Sequence, residues 1–83
     1  MNKLTEILET YINGNITTAK KEIEYLSISG IDIVECSYLF GVRTTVKILK
    51  KLGVKDLYIL NAFHDYNRTD LDEVKQLLLN NFY

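Results

Sequence analysis

The sequence predicts an all-α fold, a compact orthogonal bundle of five or six short helices that forms a single domain over residues 1–83. Apolar residues recur every three or four positions through most of the chain, which is the period of an amphipathic helix. The chain has no proline, and four glycines divide its first two thirds into short periodic segments. Its composition, 47% hydrophobic and 25% charged, is typical of a globular protein that buries a core.

Two short helices are predicted in the N-terminal third, from about Asn2 to Ile12 and from about Thr17 to Leu26. Gly14 lies in an Asn-Gly-Asn sequence and is suited to end the first helix, because glycine readily adopts the left-handed cap conformation. Each helix carries an apolar stripe opposite a charged face. The stripes consist of Leu4, Ile7, Leu8 and Tyr11 in the first helix and of Ile16, Ala19, Ile23 and Leu26 in the second.

The third predicted helix opens at Ser29, and Asp32 follows at the spacing of a capping box. The segment is apolar nearly all round, so we expect it to be the central element of the fold. Because the run is short and rich in β-branched residues, a strand remains the alternative at Ile28–Val34. The residues expected to face the core are Ile31, Val34, Tyr38 and Leu39, with Ile33, Cys36 and Phe40 widening that face.

The fourth helix has the clearest pattern and is predicted from about Thr44 to Gly53. One of its faces is apolar and the opposite face is basic, so its orientation relative to the core is well defined. Its core face consists of Val46, Leu49 and Leu52, with Ile48 beside them. Across the whole chain, the side chains expected to be among the most buried are Val34, Leu49 and Leu60.

Two further helices are predicted in the C-terminal third. Asp56 is suited to cap the first of them, which continues through Phe63, although Val54–Leu60 also fits a single strand. Thr69 opens the last helix, which runs to about Asn80. Acidic residues in its first turn are favourable there because the helix dipole is positive at that end.

The sequence offers little for catalysis. Cys36 is the only cysteine and lies in a mostly apolar run, while His64 is the only histidine. One cysteine and one histidine are too few for a metal site within a single chain, and no nucleotide-binding motif is present. We therefore predict that the protein is not an enzyme, and we expect no catalytic residue, no bound metal and no cofactor.

The expected location is the cytoplasm. A single cysteine cannot form an internal disulfide, which favours a reducing compartment. No segment has the ~18 apolar residues that a membrane-spanning helix needs, so we expect no membrane association. The net charge of −1 gives no general attraction to nucleic acid or to an anionic membrane.

The strongest local feature is a cluster of positive charge. Five of the ten basic residues fall between positions 43 and 55, and no acidic residue interrupts them. Their helical spacing places them on one face, opposite the apolar face of the fourth helix. They form either a solvated helix face or a patch that binds phosphates or an acidic protein surface. The cluster consists of Arg43, Lys47, Lys50, Lys51 and Lys55, and we expect both Lys47 and Lys50 to point to solvent.

The residues from Ser37 to Leu49 resemble the core of a helix-turn-helix DNA-binding unit. Gly41 stands at the expected turn, and Thr44 lies at the start of a basic second helix, as in many recognition helices. This resemblance implies a DNA-binding regulator. The segment departs from the usual pattern in that Val46, the buried position of the second helix, comes one residue early.

A second resemblance covers roughly the first 50 residues. The sequence from Tyr11 to Lys21, with its glycine-asparagine turn and lysine-rich helix, is similar to that of small proteins encoded by bacteriophages. This resemblance implies a phage-encoded interaction protein that binds a host or defence-system protein and inhibits or redirects it, in the cytoplasm of the host cell. We expect a protein partner rather than DNA, and the sequence leaves homodimerisation open.

Aromatic residues supply further candidates for binding. Six tyrosines outnumber three phenylalanines, and tyrosine is favoured on surfaces that a partner half buries. Two aromatic residues at the end of the chain must pack back on the domain or contact another chain. The aromatic binding candidates are Tyr25, Tyr66, Phe82 and Tyr83.

Overall fold

The computed structural model describes residues 2–80, which form six α-helices and no strand. The predicted all-α fold is therefore confirmed, and the alternative strands at 28–34 and 54–60 do not form. A single turn of 3-10 helix, Arg68–Asp70, leads into the last α-helix. The helices are α1 (Lys3–Ile12), α2 (Ile16–Glu24), α3 (Gly30–Phe40), α4 (Val42–Lys51), α5 (Asp56–Tyr66) and α6 (Leu71–Leu79).

Helix α3 lies at the centre of the fold, as predicted. It packs against α1, α4 and α5, while α6 packs against α4 and α5 and α2 packs mainly against α1. All six helices contribute to one core. Its largest fully buried side chains include Phe63, Leu4, Ile7, Leu8, Ile33 and Leu49.

The predicted orientation of α3 is partly wrong. Ile31, Tyr38 and Leu39 were expected to face the core, but they are exposed to solvent. A helix that is apolar nearly all round gives no periodic signal for its inward face, so its neighbours decide the orientation. The residues that α3 buries are Ile33, Val34, Cys36 and Ser37.

Gly30 accounts for the close approach of α3 to α5. A Cβ atom at this position would lie 3.2 Å from Cα of Ala62 and 2.9 Å from a ring carbon of Tyr66. Any larger residue would therefore push the two helices apart or displace the tyrosine ring. The predicted start of the third helix at Ser29 agrees with the structure, in which Ser29 is the N-cap and Gly30 the first residue of α3.

The predicted burial of Val34 and Leu49 is confirmed, because neither side chain is accessible to solvent. The prediction for Leu60 is wrong, since this side chain is only half buried at the edge of the core. Helix α5 turns Ile59 and Phe63 fully inward, together with Ala62. Leu60 follows Ile59 by one residue and so is rotated by about 100° from this stripe.

Helices α3 and α5 begin close to their predicted positions, but the residues predicted to cap them do not do so. Ser29 occupies the N-cap position of α3 but makes no side-chain cap hydrogen bond. Asp56 is the first residue of α5, and Lys55 takes the N-cap position instead. The side chain of Asn2 caps α1, because its Oδ1 accepts a hydrogen bond from the backbone N–H of Thr5 at 2.9 Å.

Gly41 alone joins α3 to α4. Its N–H donates to the carbonyl of Ser37 at 2.9 Å, and its own carbonyl accepts from the N–H of Thr45 at 3.1 Å. The same residue therefore ends one helix and begins the next. Its φ of 86° and ψ of 155° lie in a region that is essentially restricted to glycine.

Cys36 is fully buried against the core, which suppresses its reactivity. The pKa of the Cys36 thiol is raised to about 12, mainly by burial and in smaller part by the negative charges of Asp32 and Glu35. The thiolate is the nucleophilic form of cysteine, so the folded protein presents almost none of it at neutral pH.

We therefore expect Cys36 to resist labelling by a thiol reagent such as 5,5′-dithiobis(2-nitrobenzoate) in the native state at pH 8. In denaturant the same thiol should react stoichiometrically, because unfolding exposes it and restores an ordinary pKa. The absorbance of the released chromophore measures both rates. Equal rates with and without denaturant would show that Cys36 is not buried.

Candidate functional site

Helix α4 has two chemically distinct faces. Its inner face is fully or almost fully buried, whereas its outer face points to solvent. Leu49 lies at the centre of the inner face, and the chain beyond α4 adds Leu52 and Val54 to the same core. The inner residues are Thr45, Val46, Ile48 and Leu49, and the exposed outer residues are Arg43, Thr44, Lys47 and Lys51.

Four exposed cations and one exposed threonine of this region are together called the basic face. None of the acidic residues among positions 2–80 forms an ion pair with Lys47, Lys51 or Lys55. Like charges on one helix repel each other, so their presence together is unfavourable in the isolated protein. The basic face consists of Arg43, Thr44, Lys47 and Lys51 on α4 and of Lys55 immediately before α5.

Lys50 departs from the predicted arrangement. It was expected to point to solvent, but only 18% of its side chain is exposed, and its Nζ forms an ion pair with the Asp56 carboxylate. The pair connects the last turn of α4 to the first turn of α5. Sequence spacing did not reveal this contact, because it depends on how the chain turns between the two helices. Lys50 therefore links α4 to α5, and we do not count it as part of the basic face.

We expect Lys50→Glu to lower the free energy of unfolding by about 1 kcal/mol, because it would place two carboxylates side by side in a partly exposed position. Lys50→Met should cost less, since it keeps the contacts of the side-chain stem. Urea denaturation of both variants measures the difference. Lys47→Glu serves as the exposed control and should be nearly neutral; an equal loss in all three variants would contradict the role of the ion pair.

The aromatic candidates lie at different places on the fold. Tyr25 is 88% exposed just after α2, and Tyr66 is 54% exposed at the far end of α5. Helix α5 runs over eleven residues from Asp56 to Tyr66, and its two ends are about 15 Å apart, so Tyr66 is remote from Lys55. Phe82 and Tyr83 lie outside the described residues.

A groove that the sequence did not predict adjoins Lys55. It has a volume of about 590 Å³ and lies between the segment that follows α2 and the turn that joins α4 to α5. Its walls come from residues 23–28 and 52–58, which are far apart in the chain. A local sequence pattern therefore carries no signal for it.

Other reactive side chains do not assemble into a site. His64 is exposed, and its Nδ1 lies 3.1 Å from the carboxylate of its neighbour Asp65. Within the part of the chain that the structure describes, no three His, Cys, Asp or Glu side chains are grouped closely enough to hold a metal ion. Nor does any helix among residues 2–80 have the length and apolar character needed to span a membrane.

Comparisons with protein-family models, with curated proteins and with solved structures find no match to this chain. The fold class is therefore defined by the structure itself, and the candidate site is defined by its geometry. That site is the basic face together with the groove that Lys55 borders.

Proposed function

We propose that this protein is a small interaction module that binds an acidic surface of a macromolecular partner through the basic face. One observation carries the proposal: Lys47, Lys51 and Lys55 are exposed together, and no acid among the described residues pairs with them. The opposite face of α4 is anchored in the core, so the cations are held on a rigid element. A partner's carboxylates would relieve their repulsion and form charge-assisted hydrogen bonds.

The leading form of this proposal is a phage-encoded protein that binds a host or defence-system protein and inhibits or redirects it. The resemblance of the N-terminal half to small bacteriophage proteins supports this form. A stoichiometric inhibitor needs a binding surface and no catalytic machinery, which agrees with an inert Cys36 and an exposed His64. Its partner would be a protein with a concentrated patch of Asp and Glu.

The second candidate is a DNA-binding regulator of the helix-turn-helix class. It is favoured by the exposure of Arg43, Thr44 and Lys47 along the first half of α4, directly after a turn glycine. The length of that turn weighs against it. Helix-turn-helix units use a turn of about three to four residues, whereas Gly41 alone separates α3 from α4. The shorter junction changes the direction in which α4 leaves α3.

The test is capture of a partner from bacterial lysates by the immobilised protein. Wild type is compared with the Lys47→Glu, Lys51→Glu double variant, and with Lys20→Glu, Lys21→Glu as a matched control. All four lysines are exposed, and each pair includes one residue in the last turn of its helix. We expect wild type and the control to retain the same protein, and the α4 variant to lose it. Retention by all three would contradict the proposal.

Duplex DNA of mixed sequence separates the two candidates. A DNA-binding regulator would bind it with an affinity that falls steeply, by at least about tenfold, between 50 and 200 mM salt. We expect the wild-type protein to bind it only weakly at the lower salt concentration. Tight binding that the Lys47→Glu, Lys51→Glu variant abolishes would instead establish the DNA-binding function.

A further inference from the structure

The groove beside Lys55 has an apolar floor. Ile23 from α2 and Leu52 and Val54 from the turn after α4 line it, and each retains a small accessible surface of 8–9%. Tyr58 stands on its rim and is 64% exposed. The volume of about 590 Å³ lies within the range of pockets that hold small molecules or several side chains. Apolar side chains would therefore leave water on entering this groove, which is favourable.

The two sides of the groove carry opposite charges. Lys55 belongs both to the groove lining and to the basic face, and Glu24 lines the groove from the end of α2. An acidic group is thus attracted to the side that continues into α4 and repelled from the other side. This polarity disfavours an occupant with phosphates along its whole length and favours one with an acidic end and an apolar end.

The segment between α2 and α3 also offers unpaired backbone groups. Ser27 and Ile28 line the groove, and neither backbone N–H donates a hydrogen bond to any of the described residues. Ser29, the next residue, is extended, with φ of −102° and ψ of 155°. Backbone donors that lack a partner within the protein can pair with the carbonyls of an extended peptide.

We infer that the groove binds a short peptide segment of the partner protein in which bulky apolar residues stand next to acidic residues. The apolar side chains lie on Ile23, Leu52 and Val54, and Tyr58 packs against them from the rim. The acidic residues lie towards Lys55 and continue over Lys51. This inference rests on the proposed function and adds to it the chemical class of the segment that is recognised.

The test uses two capped tetrapeptides of leucine, phenylalanine, aspartate and aspartate, one in this order and one in the reverse order. Each is titrated into ¹⁵N-labelled protein and followed by NMR. We expect saturable shift changes at groove residues, Ser27 and Ile28 included, at peptide concentrations up to about 1 mM, the weak end of specific binding. A peptide with lysines in place of the aspartates, and one with glycines in place of the apolar residues, should cause no such changes. Absence of shifts with both parent peptides would overturn the inference.

A pair of matched variants locates the binding. Tyr58→Ala should weaken peptide binding by at least about fivefold, because tyrosine is enriched among the residues that carry most of the binding energy and its ring would cover the apolar side chains of the peptide. Tyr38→Ala is the control, since Tyr38 is 67% exposed on α3 and lies outside this groove. Both residues are mostly exposed, so both variants should fold. Equal weakening, or none, would overturn the assignment of the peptide to the groove.

Further outcomes separate this inference from the proposed function. If the Lys47→Glu, Lys51→Glu variant loses the captured protein while Tyr58→Ala retains it fully, the basic face acts without the groove and the inference fails alone. If the peptide binds the groove while charge reversal on α4 leaves capture unchanged, the proposed function fails alone. Groove shifts that depend on protein concentration without peptide would assign the groove to a second copy of the chain and overturn the inference.

Discussion

Leu49→Ala is expected to lower the free energy of unfolding by about 2–4 kcal/mol, the usual cost of truncating a fully buried leucine. Leu49 is completely inaccessible to solvent and lies on the inner face of α4, where the core also includes Leu52 and Val54. A chain of 83 residues has a thin core, so the neighbours cannot collapse into the cavity without losing other contacts. Urea denaturation followed by circular dichroism measures the loss.

Leu60→Ala is the matched control, because it removes the same atoms from a half-buried position. It should cost clearly less than Leu49→Ala, since a smaller apolar area returns to water and the solvent fills most of the space. A loss at Leu60 as large as that at Leu49 would show that α5 is rotated relative to the structure described.

Gly41→Ala is expected to be the next largest effect, a loss of about 1–3 kcal/mol from backbone strain alone. No atom outside the neighbouring residues lies within 4 Å of the Cβ that alanine would add, so crowding makes no contribution. The cost arises because φ of 86° combined with ψ of 155° is unfavourable for any residue with a Cβ. Thermal or urea unfolding of the variant measures it.

Asparagine at the same position distinguishes this strain from an ordinary helix cap. Asn is tolerated in the left-handed helical conformation that ends many helices, but that conformation has a ψ near 47°. Gly41→Asn should therefore destabilise the protein about as much as Gly41→Ala. A nearly neutral Gly41→Asn would mean that the α3–α4 junction adopts the left-handed helical conformation in solution.

The fold class could be predicted because hydrophobic periodicity is a local property of the sequence. Helix α4 was the clearest case: Val46 and Leu49 alternate with Arg43 and Lys47 at helical spacing, and the structure buries the first pair and exposes the second. The exposure of Lys51 and Lys55 followed from the same pattern. Lys47 and Lys51 lie on the outer face of α4, and Lys55, which precedes α5, is exposed as well.

The features that escaped prediction depend on contacts between distant parts of the chain. The apolar surface of α3 fits several orientations, and packing against α5 at Gly30 helps to select one of them. The burial of Lys50 follows from its pairing with Asp56 in the next helix. The groove forms only where residues 23–28 meet residues 52–58. None of these contacts has a signature in a single sequence window.

The central claim is that the basic face binds a partner and is not merely solvated. The most direct measurement is the dissociation constant of the captured protein, determined by calorimetry for wild type, Lys47→Glu with Lys51→Glu, and Lys20→Glu with Lys21→Glu. Unfolding midpoints in the same buffer show that all three are folded.

We expect charge reversal on α4 to weaken binding by at least about tenfold, which is about 1.4 kcal/mol, while the α2 control stays within about twofold of wild type. Unfolding midpoints should differ little, because all four lysines are exposed. Unchanged affinity for the α4 variant, with unchanged stability, would contradict the claim and leave the basic face as a solvated surface.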